Sequence, residues 1–294
     1  DKEAIMKKFL VLILTILFGS NIAMAEATYC CSVPRELSSP VARGLTNAMG
    51  CNFVAKQAAK TAIIKLLKRH SQGDYDVKID SYSAIDLKKG KFKFAEVTGK
   101  NVNVKGIYIS NLKMNTLCDF NWVDYNQKPA VFYTDVPVKF NAEISEDDLN
   151  KTLIDLGYIK KITDLNIGGV SFFKIDNVSF KLKNSKLYLI AHMKAPLLLG
   201  DKSIKFTFSG KLNIENGKIV LENVQSENLR NIDMGKFLEM MNSLNPFDMP
   251  LDIFKGTETT MSVEDVKIVE NKICVNGIIV VKRSCNGQTE EEKQ

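Results

Sequence analysis

The run VSFKLKNSKLYLIAHM, Val178 to Met193, decides the fold class. Val178, Phe180 and Leu182 alternate with Ser179, Lys181 and Lys183. After the polar corner Asn184-Ser185, the same beat resumes at Leu187, Leu189, Ala191 and Met193. A period of two sends successive side chains to opposite faces of a strand. Downstream, Ile204, Phe206 and Phe208 lead to Leu212 and Ile214, then Glu215-Asn216-Gly217, then Ile219 and Leu221. Asn-Gly between two alternating runs marks a type I′ hairpin, because both central residues need positive φ. Residues 172–224 are therefore predicted to form one antiparallel meander.

Working outward, the upstream chain changes period. From about Leu45 to His70, Val54, Ala58, Ala62 and Leu66 recur at steps of four, with Ala55, Ala59, Ile63 and Leu67 beside them. That spacing predicts a helix with a broad apolar stripe. Lys68, Arg69 and His70 close it, where positive charge suits the helix dipole. Strand periodicity takes over at Val77 and continues through Phe92 and Phe94, which alternate with Lys91 and Lys93. It then runs through Val102, Val104, Ile107, Ile109, Leu112 and Met114, and again from Val136 to Ile144. Ser145-Glu146-Asp147-Asp148 reads as a capping box opening a short helix. Beyond the meander, Phe237, Leu238, Met240, Met241 and Leu244 predict a second apolar helix over 233–244, and Met261–Val269 with Ile273–Val281 predict a closing hairpin. The class is α+β, read as a single domain over 45–285.

The 294 residues are 45% hydrophobic and 25% charged, enough for a sizeable core. Lys7-Lys8, the apolar run Phe9–Phe18 and Ala23-Met24-Ala25 have the three parts of a secretory signal, so residues 1–25 are expected to be removed. Residues 26–44, with Pro34 and Pro40, read as an irregular lead-in, and 286–294 as a disordered acidic tail. The mature chain is expected outside the cytoplasm, in the periplasm or cell envelope of a bacterium. A net charge of +6 is mildly basic and favours an anionic membrane surface slightly. The six cysteines are compatible with disulfides: Cys30 or Cys31 to Cys51 or Cys118, and Cys274 to Cys285.

Catalytic chemistry finds little support. Gly-x-Ser-x-Gly and Cys-x-x-Cys are both missing, and the two histidines, His70 and His192, fall at a helix end and within a strand. A hydrolase would have to depend on His192. Glu146-Asp147-Asp148 is explained by helix capping, and Gly200-Asp201-Lys202-Ser203 lacks the upstream glycine and following helix of a phosphate loop. No concentrated basic patch marks a nucleic-acid binder. Neither a cofactor nor a metal is expected. Several strands are apolar on both faces, as where Tyr188 and Ile190 accompany Leu187 and Leu189, so both faces of the sheet need a cover.

The order of these elements resembles the LmeA-like family of exported phospholipid-binding proteins. The resemblance covers most of residues 60–283. It is carried by Asp86–Phe92, Val97–Val102, Ile109–Met114, Ile144–Asn150, Phe208–Gly217 and Met261–Gly277, with Asp148-Leu149-Asn150 and the Asn216-Gly217 hairpin the most telling parts. It implies a strongly curved antiparallel sheet wrapping a long amphipathic helix, a tubular lipid-binding architecture, and phospholipid or another acyl lipid as partner with peripheral contact at the membrane surface. The groove then expected lies between the meander and the helices near 53–70 and 233–244. Its lining is expected to be Ile63, Leu66, Leu67, Phe180, Leu189, Met193, Phe206, Phe237 and Met241. The alternative expectation is a structural or interaction module of the envelope whose core is filled by its own side chains.

Overall fold

The structure is a computed structural model that describes residues 29–69, 71–127, 130–156, 174–194, 203–226 and 258–284. The expected signal segment, His70, the 233–244 helix with Phe237 and Met241, Cys285 and the acidic tail lie outside the described residues, as does the side chain of Met193.

The order is α1 (Pro40–Ala48), α2 (Cys51–Lys68), β1 (Gln72–Asp80), α3 (Ala84–Lys88), β2 (Lys91–Phe92), β3 (Phe94–Val104), β4 (Ile107–Thr116), β5 (Asn121–Asp124), β6 (Val131–Phe132), β7 (Val136–Ser145) and α4 (Glu146–Asp155). Then come β8 (Lys174–Lys183), β9 (Lys186–Lys194), β10 (Ser203–Glu215), β11 (Lys218–Ser226), β12 (Thr259–Val269) and β13 (Lys272–Val281). The strands form a six-stranded sheet, β1-β3-β4-β7-β13-β12, a four-stranded sheet, β11-β10-β9-β8, and a small sheet, β2-β5-β6. Every pairing is antiparallel, which bears out the sheet-rich α+β class.

Two-residue turns set the registers. Lys105-Gly106, Asn184-Ser185, Asn216-Gly217 and Glu270-Asn271 all have positive φ at both positions. Each joins directly paired strand ends: Val104 to Ile107, Lys183 to Lys186, Glu215 to Lys218 and Val269 to Lys272. This mirror-image turn matches the right-handed twist of the flanking strands.

One row of side chains crosses the large sheet from edge to edge: Val77, Val97, Met114, Phe140, Gly277 and Val263. These residues belong to or flank the main core, and Phe140 is fully buried. Gly277 is obligatory in that row. A Cβ there would lie 2.8 Å from the Phe140 ring and 2.3 Å from the Ser262 carbonyl oxygen, so the missing side chain leaves space for the ring and the β12 bulge. The next row, Lys78, Glu96, Asn115 and Lys139, faces outward, and Glu96 bridges Lys78 at 2.9 Å and Lys113 at 3.0 Å.

The four-stranded sheet is fastened to this frame in two places. At one end the backbone N–H of Val263 donates to the Gly217 carbonyl at 2.9 Å, and Leu182, Leu187, Leu212, Ile214 and Ile219 join the main core. At the other, α4 lies between β4 and β8. Its capping box is formed as expected: Ser145 Oγ accepts from Asp148 N, and Asp148 Oδ2 accepts from Ser145 N. Asn150 mimics a strand partner, accepting from Phe180 N–H at 2.7 Å and donating to the Phe180 carbonyl at 3.0 Å, while Glu146 accepts from Leu182 N–H at 2.9 Å. Helix side chains thereby occupy the open edge of β8, which would otherwise invite another strand.

The N-terminal region departs from its sequence reading twice. Ser39 caps and Pro40 opens α1, inside the segment expected to be irregular. The single expected helix is two helices, divided at Gly50, whose φ is +70°. Only one side of the broad apolar stripe of α2 turns inward: Val54, Ala58 and Ala62 are exposed, and the flanking set of Ala59, Ile63 and Leu67 turns toward β1 and the core. Lys56 and Lys60 hold that orientation by pairing with Asp80 and Asp76 of β1 at 2.5 and 2.6 Å.

Candidate functional site

The apolar residues expected to line a groove fall into two groups. Leu67 is fully buried in the main core, Ile63 packs against it, and Leu66 is half-buried. Phe180, Leu189 and Phe206 share the inner face of the four-stranded sheet. Phe180, Leu189 and Phe208 stand directly opposite one another, and Val178, Ala191 and Phe206 form the neighbouring row. All but the half-buried Phe180 are buried, yet none of the six belongs to the main core cluster. The sheet therefore carries two apolar compartments on one face: a near one fused to the core through Leu182 and Leu187, and a far one built from these two rows. The opposite face of β10 is covered as well, since Thr207 and Ser209 are buried there.

A second apolar feature lies at the C-terminal end of α2. Ile64 floors an open depression of about 450 Å³ rimmed by Thr61, Lys65, Lys68 and Arg69. Lys65 and Lys68 are exposed and form no ion pair among the described residues. An apolar floor with a cationic rim suits an anionic amphiphile.

The most elaborate polar cluster was not anticipated. The N-terminal segment before α1 crosses the small sheet as a strap, held by the Cys31–Cys118 disulfide. Beneath it Lys91, which alternates with Phe92 in the sequence, is only 2% exposed. Its Nζ donates to the Glu36 carbonyl at 2.6 Å, lies 3.6 Å from the Glu36 carboxylate and stands 3.8 Å above the Trp122 ring, which stacks on Tyr133 at 4.4 Å. Burial pushes the Lys91 ammonium below its ordinary value, and the Glu36 charge opposes that shift. Nearby, Asp86 is fully buried, accepting from Ser38 N–H and Ser38 Oγ at 2.8 Å and from Ser83 Oγ at 2.6 Å. Burial alone would raise its pKa, but the Ser83 and Ser38 hydrogen bonds outweigh it and hold the carboxyl below the usual range. The aliphatic stem of a lysine hides readily in strand alternation, and the partners come from distant sequence, so no local signal marked this cluster. Lys91 is committed to Glu36 and Asp86 to Ser38, both partners lying on the strap, an arrangement that fixes it.

Of the remaining candidates, His192 is half-buried on β9 in register with Asn177 and Lys205. The acids Glu146 and Asp148 are occupied with β8 and the helix cap. Among the described residues no group of His, Cys, Asp and Glu is disposed to hold a metal ion. Cys31 takes Cys118, one of the open alternatives; Cys30, Cys51 and Cys274 are free thiols, and Cys285 of the expected Cys274–Cys285 staple lies outside the described residues. No protein-family model, curated protein or solved structure matches the chain.

Proposed function

We propose that this chain is an exported, non-catalytic protein that holds the acyl chains of a phospholipid in an apolar groove, with the curved-sheet, tubular architecture of the LmeA-like proteins its sequence resembles. The far compartment of the four-stranded sheet carries this reading: Val178, Phe180, Leu189, Ala191, Phe206 and Phe208 form an apolar wall apart from the main core. A methylene moved from water to such a wall gains about 0.8 kcal/mol, so an acyl chain can be held without specific polar contacts. The Cys31–Cys118 disulfide supports export, because such bonds persist in oxidising compartments. No helix among the described residues is long and apolar enough to cross a membrane.

Phospholipid is expected in an organic extract of the purified protein, read by mass spectrometry, and a fluorescent phospholipid is expected to be taken up. Phe180→Glu, at a half-buried position, should lower that uptake by about tenfold by setting a charge against the chain. A well-folded protein that is lipid-free and takes up no probe would end this reading. It would favour instead a structural or interaction module, for which the dry packing of Leu67, Phe140 and Ile279 in the main core already speaks.

A further inference from the structure

From residue 37 to residue 73 the chain contains no aspartate or glutamate, although the overall acid content would place about four there. The same stretch holds Arg43, Lys56, Lys60, Lys65, Lys68 and Arg69. Neither α1 nor α2 has an acid in its first turn, the position where the helix dipole rewards one. Acid is thus missing even where a water-facing helix gains from it. In the first half of the same stretch five large apolar side chains point to solvent, while Ile63 and Leu67 further along α2 turn to the core. Val41, Leu45 and the C-cap Met49 follow at steps of four along α1, which buries none of its residues, and Phe53 and Val54 continue in the first turn of α2. Their exposures run from 60% for Leu45 to 82% for Val41. Exposed apolar residues scattered singly are ordinary, but a contiguous set is rare on a monomer and marks a contact surface.

We propose that α1 and α2 form a docking surface for an anionic lipid bilayer, with Leu45, Met49 and Phe53 entering the interface and Lys65 and Lys68 meeting headgroup phosphates. The charge pattern selects this occupant: exposed apolar residues on α1 and the start of α2, with lysines further along α2 that form no ion pair among the described residues, in a stretch free of acids, match a surface that is greasy within and negative above. A helical protein partner fits less well, since the nine residues of α1 are too short for a heptad seam. Several polar groups of α2 and of the segment before α1 are meanwhile spent on the protein itself. Lys56 and Lys60 pair with β1, Asn52 accepts from the Ala84 backbone N–H, and Ser38 is bound to Asp86. The C-terminal half of α2 is held by Ile63 and Leu67 in the core, and the apolar residues of α1 and of the first turn of α2 are left outward. This surface stands whether or not the protein carries lipid in its interior.

The test is co-sedimentation of the folded protein with phosphatidylglycerol vesicles and with phosphatidylcholine vesicles. Binding to the anionic vesicles is expected, weakened by salt. Leu45→Glu with Met49→Glu should cut it more than tenfold, and each of Lys65→Gln and Lys68→Gln about fivefold. All four positions are exposed, so unchanged circular dichroism is expected, and Phe53→Ser provides an independent check with the same direction of effect. No sedimentation with phosphatidylglycerol, equal binding to both vesicle types, or binding unmoved by the double variant would each overturn the assignment. So would concentration-dependent self-association that the double variant abolishes, since a second copy would then be the occupant. Lipid extraction from the purified protein reads the interior and not this surface, so the two proposals fail separately.

Discussion

Asp86 is a carboxylate with no exposed surface and no ion pair among the described residues, and it is tolerated because hydroxyls and a backbone N–H solvate it in place of water. Asp86→Ala would leave the Ser38 N–H and two hydroxyls without their acceptor. A loss of about 2–3 kcal/mol in unfolding free energy is expected, measured by urea titration. The pH dependence follows in sign. The folded pKa is depressed, so the unfolded state binds the proton more readily. The Asp86 contribution is complete above the ordinary carboxylate range near pH ~4 and drains away as pH falls through the lowered folded value. Asp86→Asn should therefore show a shallower loss of stability on acidification than the parent protein. Lys91 needs the same kind of support, and the Trp122 face and Glu36 supply it.

At the scale of elements, the junction of α4 with β8 joins the two large sheets. Asn150 provides one donor and one acceptor to the same residue, which a strand would otherwise have supplied. Asn150→Ala should cost about 1–3 kcal/mol. Amide exchange at Phe180 and along β8 and β9 is expected to quicken well before that of β3, β4 and β7; uniform acceleration across both sheets would mean that the junction is not local. The elements themselves were largely legible. Strand periodicity located β3, β4, β7, β12 and β13, and the polar pairs Asn184-Ser185 and Asn216-Gly217 marked two of the turns, because period and turn chemistry are properties of adjacent residues. What adjacent residues do not carry is facing. On α2 both the stripe from Val54 and its neighbours are apolar, and the choice between them is made by the burial of Leu67 and Ile63 in the core, with the Lys60–Asp76 and Lys56–Asp80 pairs alongside. The candidate lining residues split for the same reason: alternation says that Phe180, Leu189 and Phe206 share a face, but not which compartment that face encloses.

At the scale of the molecule, the Cys31–Cys118 bond ties the strap to the loop after β4 across a sequence separation of 87 residues. Cys31→Ser is expected to lower stability by about 2–4 kcal/mol. Because the chain has one tryptophan, and it lies under the strap, emission from Trp122 should shift on reduction by dithiothreitol; emission unchanged by reduction would mean that the hydrogen bonds alone hold the strap. Neither the choice of Cys118 nor the burial of Lys91 was readable beforehand, since both depend on contacts between remote segments. The pairing of β7 with β13 is another such contact, and it bears on how the protein is made. Residues 136–145 have no neighbour on one side until residues 272–281 exist, with the whole four-stranded sheet translated in between. An emerging chain therefore holds β1, β3, β4 and β7 as an unfinished sheet with one bare edge and Phe140, Ala142 and Ile144 unshielded on it. Such an edge recruits strands from other chains. Pairing of residues 272–281 closes that edge, so a chain cut short before residue 272 is expected to aggregate where the complete protein does not.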